Sequence, residues 1–157
     1  MPSFPMSLRV DDAACRQALV ARLRALTPED TRRWGQMTAQ QAICHLRDAL
    51  RGMIHHEPVA PVHNLFTRTV MRWVALHSGM AWPRDVKTVR ELDAQQGGSH
   101  PRNFAQDHDE LIALTEQFAT LPAAALPAHP IFGPLTTDEW QHWAWRHADH
   151  HLRQFGR

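Results

Sequence analysis

Long apolar runs, cysteine, lysine and net charge are all scarce in this 157-residue sequence. No stretch approaches the roughly 20 consecutive apolar residues of a membrane span, because arginines interrupt every candidate. Two cysteines, Cys15 and Cys44, are too few for a disulfide framework or a zinc ribbon. The opening MPSFPMSLR holds two prolines and no apolar segment, so no secretory signal is expected and a reducing cytoplasm is. The net charge is +1 and the pI about 8.0, which leaves no global field to recruit nucleic acid or an anionic membrane. Lys87 is the single lysine beside 16 arginines, a bias that reads as codon usage more than function.

What remains suits one soluble domain, residues 1–157, long enough to bury a core and too short to divide. Histidine is the abundant residue. There are 12, against 16 acids, and imidazole is both the commonest metal ligand and the side chain with an ordinary pKa nearest neutrality.

Helical periods recur along the chain. From Val10 to Leu26 the apolar residues Ala14, Cys15, Ala18, Leu19, Leu23 and Leu26 fall on a helical spacing, with Asp11 or Asp12 as cap. Thr27-Pro28-Glu29-Asp30 has the composition of a short helix start, ended by Trp34-Gly35. Thr38 to Gln41 forms a capping box for a second helix to about Met53, with Ala42, Leu46, Ala49, Leu50 and Met53 on one face. A third stretch from His63 to His77 repeats Leu65, Phe66, Val70, Trp73 and Leu76. Asp107-x-x-Glu110 opens a fourth, with Leu111, Leu114 and Phe118. Thr136 to Glu139 is the clearest capping box, and the helix behind it runs to about Gln154, stopped by Gly156.

Gly79 to Asn103 has no sustained period and only a weak strand tendency at Val86 to Val89. A loop of this length reads as a lid, a binding loop or a disordered segment. Prolines 122, 127, 130 and 134 stiffen the last connection. Without strand pairs or repeats, the fold class is all-α, an up-and-down bundle with long crossover connections and one extra helix.

The last helix places its histidines selectively. On a wheel of about 100° per residue from Trp140, His147 falls near 340° and His151 near 20°, in the middle of the apolar face and one turn apart. His142 lies almost opposite and His150 at the edge. His45 on the second helix lies about 70° from the centre of its apolar stripe, beside the small Ala42 and Ala49. Three inward imidazoles without partners cost about 1–3 kcal/mol each, and one metal ion satisfies them together. His147-Ala148-Asp149-His150-His151 lacks the glutamate of H-E-x-x-H, so metalloprotease chemistry is not expected.

WGQMTAQQAICHL, HPIFGPLTTDEW and HADHHLRQFG, with the H-x-x-H-H-x-x-Q arrangement from His147 to Gln154, resemble the DinB-like (DinB/YfiT) superfamily, in a bacterial branch of unknown function. The resemblance covers nearly the whole chain and is weakest across Gly79 to Asn103. It implies a four-helix bundle and a divalent metal on His45, His147 and His151, the residues selected by the wheel; His150 is not expected to bind. Characterised relatives include thiol S-transferases and an isomerase using a low-molecular-weight thiol. The damage-inducible family name implies no contact with DNA.

Three neutral imidazoles suit zinc first, with nickel, iron or copper as alternatives, and leave zinc one open position. The chemistry expected is thiol transfer or hydrolysis of a small molecule, both from the same ligands. The alternative is a non-catalytic, stress-related metal or small-molecule binding protein, whose site a fourth protein ligand closes. A plain helical scaffold would hydrogen-bond its histidines instead. Trp73, Trp82, Trp140 and Trp143 are candidate walls, and Arg146 or Arg153 candidate anion holders. Asp48, Glu139 and Asp149 point away from the ligand face, and Cys44 reads as a small core residue. His55, His56, His63, His77, His100, His108 and His129 read as surface or loop positions. Bundles of this kind pair through helix faces, which allows a homodimer.

Overall fold

The computed structural model describes residues 7–84, 91, 93 and 96–157. Among them are five α-helices and no strand: α1 (Ala13–Arg24), α2 (Ala39–Ile54), α3 (Arg72–His77), α4 (Phe104–Phe118) and α5 (Thr137–Gln154). The strand tendency at Val86 to Val89 lies outside the described residues.

Capping decides where most of these helices begin. Asp12 accepts a hydrogen bond from the Cys15 N–H at 2.8 Å and starts α1. Both capping boxes close: Thr38 with Gln41 before α2, and Thr136 with Glu139 before α5. Each box satisfies two of the N–H groups that a helix start leaves open. Gly156 ends α5 in the left-handed region, φ 74°, which a residue without Cβ adopts at no steric cost.

Three expected boundaries move. Thr27 to Asp30 is a turn, not a helix start, because the Asp30 carboxylate accepts from the Thr27 N–H at 2.9 Å and pulls the chain back. α4 begins at Phe104, three residues ahead of the start read from Asp107, because the Asn103 side chain caps it by accepting from the Gln106 N–H. The third stretch, helical from residue 65, contains a π-helical turn, Thr67–Met71, before α3. That turn interrupts the 3.6-residue register. Only Leu76, beyond it, is fully buried, while Leu65, Phe66 and Val70 are exposed.

α2 is the most enclosed element, packed on α4 and against α5, and twelve of its sixteen residues are buried. It is therefore not simply amphipathic, and its buried polar side chains need partners. Arg47 pairs with Asp107 of α4 and with Asp48, and Cys44 Sγ lies 3.6 Å from Asp107. Burial beside these charges pushes the Cys44 thiol up to about 11, so it is an uncharged core group, as its position suggested. Asp48 accepts from both Ser99 N–H and Ser99 Oγ, at 2.7 and 2.8 Å, and Asp107 accepts from Arg102 N–H. These bonds tie the end of the long connection to the core.

The apolar core joins Leu19 and Leu23 of α1, Ile43 and Leu46 of α2, Leu111 and Phe118 of α4, and Trp140, Trp143 and Leu152 of α5. Gln141 is buried with them and donates to the Phe118 and Leu121 carbonyls, capping the end of α4. Removing a fully buried leucine such as Leu23 costs about 2–5 kcal/mol.

Candidate metal centre

α2 and α5 bring His45, His147 and His151 together. One ring nitrogen from each lies within 4.8 Å of the other two, and among the described residues no fourth histidine, cysteine or carboxylate joins them. His45 Nε2 is 2.9 Å from His147 Nε2. The ring centroids stand 4.7 to 5.0 Å apart, with planes steeply inclined to one another. The i,i+4 spacing stacks His147 and His151 on one face of α5, and α2 supplies His45 from across the interface.

The electrostatics favour neutral rings. Burial, then the neighbouring histidines, holds His147 and His151 well below the ordinary imidazole range. The His151 Nδ1–H donates to Gln154 Oε1 at 2.7 Å, which fixes the proton on Nδ1 and leaves Nε2 with its lone pair. A hydrogen bond of this kind fixes the tautomer and orientation of an imidazole that holds a metal. Three imidazole donors, two of them held neutral by burial and His151 oriented by Gln154, fit a divalent ion of the zinc type, which binds imidazole at about 2.0–2.1 Å. The three histidines can hold a metal ion.

Two tryptophans flank the site. Trp143 packs on His147 from within the core, with ring centroids 5.1 Å apart. Trp82, from the start of the long connection, stands 6.1 Å from His147 and 5.8 Å from His150, and its indole N–H is held by the Ala75 carbonyl. The other two candidate walls lie elsewhere: Trp140 is deep in the core, and Trp73 is among the exposed residues. His150, beside the site, meets the edge of Trp34 and is held by burial at about 4.

The three acids set aside on the wheel are engaged elsewhere. Asp48 holds Ser99, and Asp149 pairs with Arg22 and Arg153. Glu139 receives Arg72 at 2.8 Å and His77 at 3.0 Å. Burial raises the Glu139 carboxyl, but hydrogen bonds from Arg72, the Thr136 backbone and His77 outweigh it and bring it to about 2.

Two histidines depart from expectation. His142 faces away from the triad yet is buried, because the chain before α1 covers that side and the Leu8 carbonyl lies 2.7 Å from its Nδ1. His129, read as a loop position, is also buried. Its Nδ1 accepts from the Ile131 and Phe132 N–H groups, its ring stacks on Phe132, and burial depresses it to about 3. Gln154 stood in the quoted motif with no role; the signal for one was its i,i+3 distance from His151.

Among the described residues no helix is long and apolar enough to cross a membrane. No curated protein and no solved structure matches the chain. The family described as "Protein of unknown function (DUF1569)" matches residues 4–157, and the chain belongs to it.

Proposed function

We propose that this chain is a metal-dependent enzyme of the DinB-like kind, in which α1, α2, α4 and α5 form the four-helix bundle and His45, His147 and His151 hold a divalent ion, zinc first. Its substrate is a small molecule, attacked by thiol transfer or hydrolysis. The observation that carries this reading is the convergence of three imidazole nitrogens from two helices with no fourth protein ligand among the described residues. A structural zinc site is normally closed by four protein ligands, whereas a catalytic one keeps a position open.

When bound, the ion supplies Lewis acidity, promoting loss of a proton from a thiol or water beside it. The chain's own residues do the rest. Gln154 orients His151, burial keeps His147 and His151 neutral and able to ligate, and Trp82 and Trp143 limit water around His147. The test is metal content by plasma mass spectrometry on tag-free protein, beside His45→Ala and His147→Ala. About one zinc per chain, lost in both variants, supports the reading and licenses a screen of thiols with electrophiles. A chain that takes up no metal after reconstitution sinks it.

A further inference from the structure

A second feature lies beside the triad and is absorbed by none of the chemistry above. The outer face of the C-terminal half of α5, the Arg33–Trp34 turn and the segment from Gly79 to Arg84 enclose an open cleft of about 630 Å³. That volume is within the range of small-molecule sites, about 300–1,000 Å³. Its charge is one-sided. Among the described residues Arg33, Arg84, Arg146, Arg153 and Arg157 line it against a single acid, Asp149, in a chain whose net charge is only +1.

The ion pairs sort these arginines. Arg153 is held by Asp149 at 2.9 Å and Arg157 by Asp30 at 2.6 Å. Arg33, Arg84 and Arg146 form no ion pair among the described residues. They are nevertheless placed. Arg84 stands over the Trp34 ring at 5.4 Å, and Arg146 stands over Trp82 at 5.7 Å and donates to the Met80 carbonyl. Arg33 packs over Gly156, where any Cβ would collide with its guanidinium. Stacking on an indole holds a guanidinium plane while leaving its edge donors free, and those forked donors match the oxygens of a carboxylate or phosphate. Three cations gathered around one cavity repel each other, and a bound anion removes that cost.

We propose that this cleft binds a small organic anion carrying at least two acidic groups, with Arg33, Arg84 and Arg146 as its anchors. Trp82 and His150 line the cleft and also touch the triad, at 6.1 Å from His147 and 5.1 Å from His151, so an anion seated there lies next to the candidate metal centre. That the anion is the enzyme's substrate rests on the function proposed above; the binding itself does not.

The experiment is calorimetric titration of the metal-stripped full chain with citrate and, separately, pyrophosphate at low ionic strength, the two arms telling carboxylate from phosphate. Stripping also removes zinc chelation by either probe. One-to-one binding of at least one probe, weakened about tenfold or more by Arg84→Ala and by Arg33→Ala and unchanged in His147→Ala, is the expected result. Absence of binding of either probe up to about 10 mM overturns the inference, as does binding indifferent to both arginine variants. A labelled single-stranded oligonucleotide that binds more tightly than both probes, with the same arginine dependence, also overturns it by making the cleft a polyanion surface. Zinc uptake without anion binding defeats this inference alone, and anion binding without zinc uptake defeats only the proposed function.

Discussion

The two ends of α5 treat buried polar groups in opposite ways. At its N-terminal end Glu139 is saturated: Arg72, His77, the Thr136 N–H and the Thr136 hydroxyl all bond to one carboxylate. At its C-terminal end His147 and His151 face His45, among the described residues no carboxylate joins them, and His45 Nε2 lies 2.9 Å from His147 Nε2. The first cluster completes itself within the chain and ties α3 to α5. The second brings three imidazole nitrogens within 4.8 Å of one another, where they can hold a metal ion. A saturated cluster is a structural tie, and a cluster whose donors converge is a candidate binding site.

Zinc should separate the two ends most sharply. At a free concentration about a thousandfold above its dissociation constant, zinc stabilises the folded chain by about 4 kcal/mol. Urea unfolding with and without zinc should show that increment in the parent chain and none in His147→Ala. Breaking the other end has the complementary effect. Glu139→Ala leaves Arg72 and His77 without their acceptor and opens the α5 capping box, costing about 3 kcal/mol in the same assay. Its zinc increment should survive, because Glu139 touches no member of the triad. If Glu139→Ala also abolishes zinc binding, the two ends are one unit and the contrast fails.

His129 lies between these ends, in contact with Trp140 and Trp143, and sharpens the comparison through pH. The folded imidazole stays neutral down to about pH 3, whereas in the unfolded chain it takes up a proton near 6.5. Its contribution is therefore intact above pH 6.5 and lost as the pH falls, amounting to about 2 kcal/mol by pH 5. His129→Phe leaves two backbone N–H groups without an acceptor and is less stable near neutrality. The gap from the parent, measured on zinc-free protein, should close by about 2 kcal/mol on moving to pH 5. The smallest effect is expected from Gln154→Leu, which removes the oxygen orienting His151. It should weaken zinc binding about tenfold, or 1.4 kcal/mol, in competition with a chromophoric chelator. An unchanged affinity would show that the packing around His151 already fixes its ring.

Much of this was legible locally. Three caps and the stop at Gly156 depend on residues within a few positions of one another. Asp12, the Thr38–Gln41 box and the Thr136–Glu139 box accordingly stand where the sequence places them. His147 and His151 share a face by helical periodicity alone, and His45 followed from its place beside Ala42 and Ala49. The errors fall where local patterns compete or where burial comes from distant chain. Thr27 to Asp30 offers both a helix start and a turn, and the Asp30 side chain decides for the turn. The apolar period at Leu65, Phe66 and Val70 is real, but the π-helical turn takes those residues away from the core.

By itself, then, the sequence determined the all-helical class, most helix ends and the placing of His147 and His151 on one face of α5, because each rests on spacings of three or four residues. Only the tertiary structure decided which polar groups are enclosed: His129 by its own turn and Trp143, His142 by the chain before α1, and Arg47 by α4. It also decided that Arg33 and Trp34 meet Trp82, Arg84 and Arg146 around one cleft. Those residues lie tens of positions apart, and no periodicity reports a contact made by chain folding back on itself. The physical reason is the range of the interaction: caps and helical faces act within a turn or two, whereas burial is a property of the whole packed chain.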